Sequence, residues 1–222
     1  MTRFSSFVIE RAKRLDQNRS GVALIEFALL LPVFIVLSLT GAEITNFITT
    51  KMRVSQLALQ LADDAARMGT GSQLSAKTIS ESDINDVFIG ANLQSGELKL
   101  QTNGRVILTD LEPTANPNTA NTYKIGWQRC YGAQTSYVPL YTTSTKTGLT
   151  GLGPTGRQVI TPDNNATMFV EVYYLYTPLV KTSLSPSTYI VEYASMLVRD
   201  ARDLTGGNSG VYPVAGVTAS NC

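Results

Sequence analysis

The chain has 222 residues, with 18 Lys and Arg against 17 Asp and Glu for a formal net charge of +1, and no histidine. This balance leaves no electrostatic footprint for a nucleic acid partner. The absence of histidine excludes Ser-His-Asp triads, Cys-His pairs and zinc sites built on imidazole.

The first 21 residues form a basic leader, in which Arg3, Arg11, Lys13, Arg14 and Arg19 outweigh Glu10 and Asp16. Phe4, Phe7, Val8, Arg11 and Leu15 share one helical face, so the leader reads either as a soluble basic tail that sets topology or as a segment lying on anionic lipid. Residues 22–42 follow as a nearly unbroken apolar run. As a helix they span about 31 Å, close to the hydrocarbon thickness of a bilayer. The positive-inside rule then keeps the N-terminus cytoplasmic and exports the remainder.

Gly21 to Phe27 read G-V-A-L-I-E-F, which places Glu26 just inside the span. An ionised carboxylate in hydrocarbon costs several kcal/mol without partners, so Glu26 marks function. Three readings compete. A plain anchor would let Glu26 lean back to the headgroups. A secretory signal would be cut at Thr40-Gly41-Ala42, although the run exceeds the usual apolar length of about 7 to 15 residues and holds Glu26 and Pro32. A prepilin-type signal would be cut after Gly21, leaving the helix attached.

Residues 43–72 read as the same helix continuing out of the membrane. Phe47, Val54, Leu61 and Met68 recur every seventh position, with Ala58 and Ala65 on the same flank, so this stripe needs a partner, either the chain's own sheet or a coiled-coil neighbour. Gly69-Thr70-Gly71-Ser72 ends the helix. In residues 73–95 a short helix is expected, with N-caps at Ser80 or Ser82 and Ile84, Val87, Phe88 and Ala91 on one face.

The period then changes to two. Glu97–Thr102 and Arg105–Asp110 flank Asn103-Gly104, a two-residue hairpin signal. Tyr123–Tyr131, Thr167–Tyr176 and Thr188–Val198 add strands rich in Val, Tyr and Ile, so an antiparallel sheet is predicted. Thr142–Thr161, dense in Thr and Gly, reads as a long surface loop. Glu171 and Glu192 lie within strands, where alternation places them on an exposed face rather than in a catalytic carboxylate pair. Asp63, Asp64, Asp83 and Asp86 lack calcium-loop spacing, so no metal or other cofactor is expected and the chain is not read as an enzyme. Tyr residues and Trp127 read as sheet-packing groups rather than a glycan platform. Cys130 and Cys222 are expected to pair in an oxidising compartment and to hold the glycine-rich tail from Thr205, the alternative being two free thiols.

Gly21, Glu26 and Phe27 with the following Ala28-Leu29-Leu30-Leu31-Pro32-Val33 resemble the N-terminal segment of the TadE-like and TadF-like pseudopilins, minor pilins of the tight-adherence (Tad/Flp) pilus. Gly41-Ala42-Glu43 is similar to the element that ends that family's membrane segment, and Gln60 to Gly69 to its A-x-x-A-A-R-x-G-like helix end. Thr177-Pro178-Leu179 resembles a late T-P-L of the same chains. The likeness covers residues 19–70; the larger TadG-like relatives, which carry a D-x-S-x-S metal-adhesion string, are a poor match.

The resemblance implies cleavage between Gly21 and Val22 by a prepilin peptidase. It assigns Glu26 and Phe27 to assembly, with Glu26 the fifth mature residue and one turn from the new Val22 ammonium. The implied partners are other pilins and pseudopilins, the pilus assembly platform and the bacterial inner membrane, with the C-terminal domain periplasmic and incorporation into an extracellular pilus as the end point. The expected fold is α+β and pilin-like: leader 1–21, transmembrane segment 22–42, continuing helix 43–72 and exported α+β domain 73–222. The rival is an uncleaved, membrane-anchored periplasmic binding or adhesion protein.

Overall fold

A computed structural model of the chain describes residues 20–71, 75–142, 146–181 and 186–222. The basic leader through Arg19, with its Phe4 to Leu15 face, lies outside the described residues, as does Ser72 of the expected helix end. The chain divides into two units, Met1–Asn46 with Leu179–Ser185 and Phe47–Pro178 with Pro186–Cys222.

Helix α1 spans Ser20–Arg67, 48 residues, with Pro32 inside it. In its first half the apolar residues lie on every side, and mean hydropathy over the most apolar window reaches 2.6 with none of that window buried. It is the one helix among the described residues long and apolar enough to cross a membrane.

In the second unit, the remainder of α1 packs on a sheet. The sheet has five strands in the order β4-β3-β2-β5-β6, formed by Thr147–Leu149 (β4), Tyr123–Tyr131 (β3), Gly104–Pro113 (β2), Thr167–Leu175 (β5) and Tyr189–Leu197 (β6). All neighbouring pairs are antiparallel. Val106 and Leu108 of β2 and Met168, Val170 and Val172 of β5 join one core with Val54, Leu57, Leu61 and a row of small residues, Ala58, Ala62, Ala65 and Ala66. The alanines let the helix axis approach the strands, while each of the larger side chains contributes on the order of 1.5–3 kcal/mol by leaving water. Phe47 meets Tyr176 edge to face at 5.1 Å. The heptad stripe therefore finds its partner in the chain's own sheet.

Helix α2, Glu81–Ser95, begins with a capping box in which Ser80 accepts from the Asp83 backbone and Asp83 accepts from the Ser80 backbone. Ile84, Phe88 and Ala91 are buried, and Phe88 stacks on Tyr131 at 5.6 Å. Glu81 and Arg129 form a bidentate ion pair that ties the start of α2 to β3.

The sequence points to a hairpin at Asn103-Gly104, and the structure differs. Gly96–Leu98 is a 3-10 turn, Leu100–Asn103 is a single helical turn (α3), and β2 starts at Gly104. Short polar side chains explain the change. Ser95 Oγ accepts from Leu100 N at 3.2 Å, Asn92 Oδ1 from Gln101 N at 3.0 Å, and Asn103 Nδ2 donates to Leu98 O at 3.2 Å. These bonds give the backbone partners that a hairpin ladder would otherwise supply.

Two further expectations change for one reason: the second face of the sheet is covered. The segment expected as a surface loop, Thr142–Thr161, carries β4 and buries Leu152 and Thr161, its residues 143–145 being outside the described ones. Leu152 joins Leu111, Tyr123, Ile125 and Phe169 in a second core. Glu171, expected on an exposed face, is fully buried there. Alternation predicts which face a strand residue takes, but not whether that face meets water.

Short β1 (Ile79–Ser80) and β7 (Val211–Tyr212) pair in parallel. Beyond β7 the tail returns to the sheet, where Cys130 N donates to Ser220 O at 2.7 Å and Cys130 and Cys222 form a disulfide across 92 residues. Asn85 Nδ2 also holds Thr218 O at 3.1 Å. In the chain-entropy account, closing a loop of that length contributes about 4–5 kcal/mol. Replacing Cys130 and Cys222 together by alanine is expected to lower stability by about 2–4 kcal/mol in urea unfolding of the detergent-solubilised chain; an unchanged midpoint would mean that the tail is held by its hydrogen bonds alone.

Candidate functional site

The residues singled out at the N-terminus lie on α1. Gly21, Val22, Glu26 and Phe27 are all exposed, Val22 by 54% and Phe27 by 64%. Helical spacing sets Val22 and Glu26 on one face, one turn apart. An added Cβ at Gly21 would meet nothing within 4 Å. Packing therefore does not require glycine at this position, although glycine is among the weakest helix formers.

In the first unit a carboxylate of α1 ties the helix to the segment that follows Pro178. Glu43 is buried, and its Oε2 accepts from Leu179 N at 2.8 Å and Val180 N at 3.1 Å. This carboxylate joins two of the sequence elements noted above, Gly41-Ala42-Glu43 and Thr177-Pro178-Leu179. Their 136-residue separation hides the link from any reading of local pattern.

The second unit holds carboxylates in three settings. Glu171 accepts from Leu140 N at 3.0 Å and from the Tyr137 hydroxyl at 3.2 Å. Tyr137 stacks on Tyr173 at 4.7 Å, and Tyr173 on Tyr189 at 5.9 Å, so a row of tyrosines surrounds the acid. Burial raises the Glu171 carboxyl from 4.5 to about 7, against the lowering effect of its hydrogen bonds. Glu192 faces the other way. The register sets Glu171 opposite Tyr193 and Glu192 opposite Val172, so the two carboxylates occupy opposite faces of the sheet. They do not form a catalytic pair; Glu192 instead meets Lys51 of α1 at 3.7 Å.

The third setting was not signalled in the sequence. Asp110 and Glu112, on the helix-facing side of β2, are both buried. Their carboxylate oxygens close on Gly126, where an added Cβ would lie 2.6 Å from each. The Asp110 carboxyl is held well above the usual range by burial and then by the neighbouring Glu112. Lys124 offsets Glu112 at 2.9 Å. Arg202, itself largely buried, donates through Nη2 to Ala65 O at 3.2 Å and Met68 O at 3.0 Å, closing the C-terminal end of α1 beside Asp110. This cluster ties the helix end to the sheet.

Among the described residues, no group of three or more Cys, Asp or Glu side chains is placed to hold a metal ion. A cleft of about 500 Å³ lies along β3 between Trp127, Lys146 and Asn221. No protein-family model, no curated protein and no solved structure matches the chain.

Glu171 makes a pH prediction. Its folded pKa is raised, so the fold holds this proton more tightly than the unfolded chain, and the stabilisation is fully present below pH 4.5 and lost as pH rises through about 7. Asp110 shifts in the same direction. Glu171→Gln keeps an acceptor for Leu140 N and removes the ionisable group. Its stability at pH 8 is expected to exceed that of the parent by about 1–3 kcal/mol and to match it near pH 5, in urea unfolding at the two pH values. Equal pH dependence in parent and variant would contradict the assignment.

Proposed function

We propose that this chain is a minor pilin or pseudopilin, a structural and assembly subunit of a tight-adherence type pilus, processed by a prepilin peptidase after Gly21. The observation that carries the reading is the combination on one helix of a glycine without a packing role, an unburied apolar run and a carboxylate one turn inside that run. A peptidase that must fit a small side chain beside the scissile bond accounts for the glycine. A helix surrounded by lipid, and then by neighbouring subunits, accounts for the unburied apolar surface. The reading places the N-terminus in the cytoplasm, the span in the bacterial inner membrane and the sheet unit in the periplasm, where the disulfide is stable.

In this reading Glu26 acts through charge. Cleavage creates an ammonium group on Val22, and Glu26 sits within reach of its own amine or that of a neighbouring subunit. At an effective dielectric near 20, opposite charges about 4 Å apart attract by about 4 kcal/mol before desolvation is subtracted. That sets register between packed helices without adding to anchoring.

Two experiments test the reading. Intact mass spectrometry of the membrane-extracted protein is expected to give a chain beginning at Val22, and Gly21→Phe is expected to leave it uncleaved. A chain beginning at Met1 would instead mark a membrane-anchored periplasmic binding or adhesion protein, and one beginning at Glu43 a secreted protein.

The second experiment separates assembly from anchoring. Glu26→Leu and Glu26→Gln are both expected to keep a processed, membrane-bound subunit while abolishing its co-purification with pilus components. Leucine removes a charge from within the membrane span and so does not weaken retention in the bilayer, and glutamine keeps size and hydrogen bonding. Normal incorporation of both variants would reduce Glu26 to a tolerated interfacial charge.

A further inference from the structure

The two edges of the sheet are treated differently. The outer edge of β3 carries β4 and, further along, the tail through Ser220, which the Cys130–Cys222 disulfide holds in place. The opposite edge is β6, nine residues long, and among the described residues no strand pairs with its outer side.

The direction of its free groups follows from the ladder. Val198 N bonds Ala166 O and Tyr176 N bonds Thr188 O, and the register between them is unbroken. Even-numbered residues of β6 therefore turn their backbone groups toward β5, and odd-numbered ones turn theirs outward. Val191, Tyr193, Ser195 and Leu197 each present an N–H and a C=O to the open side. Unpaired strand edges are ordinarily blunted by lysine, proline, a bulge or a covering loop. The sequence Y-I-V-E-Y-A-S-M-L holds neither lysine nor proline, its pairing with β5 shows no bulge, and its one charged residue, Glu192, is turned to the helix side, where Lys51 neutralises it at 3.7 Å.

Walls flank this edge. A groove of about 370 Å³ runs past Glu192 to Ser195, with Leu59 of α1 on one side and Pro154 and Arg157 on the other. Apolar surface continues along both walls: Ile48, Met52 and Leu59 on the helix are each about half exposed, and Tyr189, Tyr193 and Leu197 on the strand are 37–54% exposed. The charged groups that line this groove are Arg157 and Glu192; Glu192 is already paired with Lys51 at 3.7 Å, whereas Arg157 has no ion pair among the described residues, which leaves two cations against one carboxylate. A second copy of the chain would bring the same excess of positive charge to the junction. A strand carrying an acidic side chain complements it.

We propose that the β6 edge is a docking site for an extended segment of another protein, which adds as a sixth strand, places apolar side chains against both walls and sets a carboxylate against Arg157. This is strand addition, in which main-chain hydrogen bonds supply affinity and alternate side chains supply selectivity. It does not rest on the reading of the N-terminal segment, since every group involved belongs to the sheet unit.

The probe is a capped nine-residue peptide of alternating valine and threonine with one central glutamate, added to the full-length protein in detergent. Hydrogen exchange of the Val191, Tyr193, Ser195 and Leu197 amides is expected to be fast without peptide and slowed at least tenfold with it. Two variants are expected to weaken binding at least tenfold in fluorescence anisotropy. Arg157→Glu reverses the exposed charge. Ser195→Pro removes an outward N–H while leaving the bonds to β5, a position where an edge strand tolerates proline. Absence of protection at millimolar peptide, or equal binding by parent and both variants, would overturn the proposal. Amides already protected before peptide is added, in a protein that sediments as a dimer, would assign the edge to a second copy instead.

Discussion

The sheet unit depends on one arrangement: a central strand buried on both faces. Every residue of β2 is buried, because the later half of α1 covers one face and the described parts of the segment between Tyr137 and Thr161, Leu152 among them, cover the other. The row Ala58, Ala62, Ala65 and Ala66 gives the helix a flat underside, so it lies close to the sheet and excludes water from Val106, Leu108 and Val170. Without that approach, β2 would have one wet face and the apolar helix flank would have no partner within its own chain.

Close covering on both sides brings polar groups inside, and several of them meet a partner from a distant part of the chain, while Asp110 Oδ1 and Glu112 Oε1 are buried without a hydrogen bond. Arg129 pairs with Glu81 from α2, Arg202 takes the last carbonyls of α1, and Glu171 receives Leu140 N and the Tyr137 hydroxyl. Removing one member of such a set leaves the other buried and unpaired, which is more damaging than the net stabilisation of the pair. These contacts specify how elements register more than they add stability. Helix end to sheet, α2 to β3, and the covering segment to the second face each have one.

The N-terminal half of α1 is built on the opposite principle. Among the described residues its apolar side chains are left unburied, and its buried acid, Glu43, accepts from the backbone N–H groups of Leu179 and Val180. An unburied apolar surface of this size marks a contact with a membrane or another protein. The β6 edge has the same character in backbone terms, since its outward hydrogen-bonding groups face solvent rather than a further strand among the described residues. The tail, by contrast, is tied to the β3 edge by its terminal disulfide.

Local pattern was sufficient wherever a residue's environment is set by its near neighbours. The apolar run, the heptad stripe from Phe47 to Met68, the capping signal at Ser80 and the alternating strands at Tyr123–Tyr131 and Thr167–Leu175 are all written in spacing, and the α+β composition of the chain follows from them. The Asn103-Gly104 hairpin misled because Ser95, Asn92 and Asn103 offered the backbone nearer partners than a ladder could. Glu171 misled because alternation reports a face and not what lies over it. The pairing of Glu43 with Leu179, the Asp110–Glu112–Arg202 cluster and the open edge of β6 were decided by the tertiary structure alone. Each depends on which segments meet after a separation of some ninety residues or more, or on which strand happens to be last in the sheet, and no local periodicity carries that information.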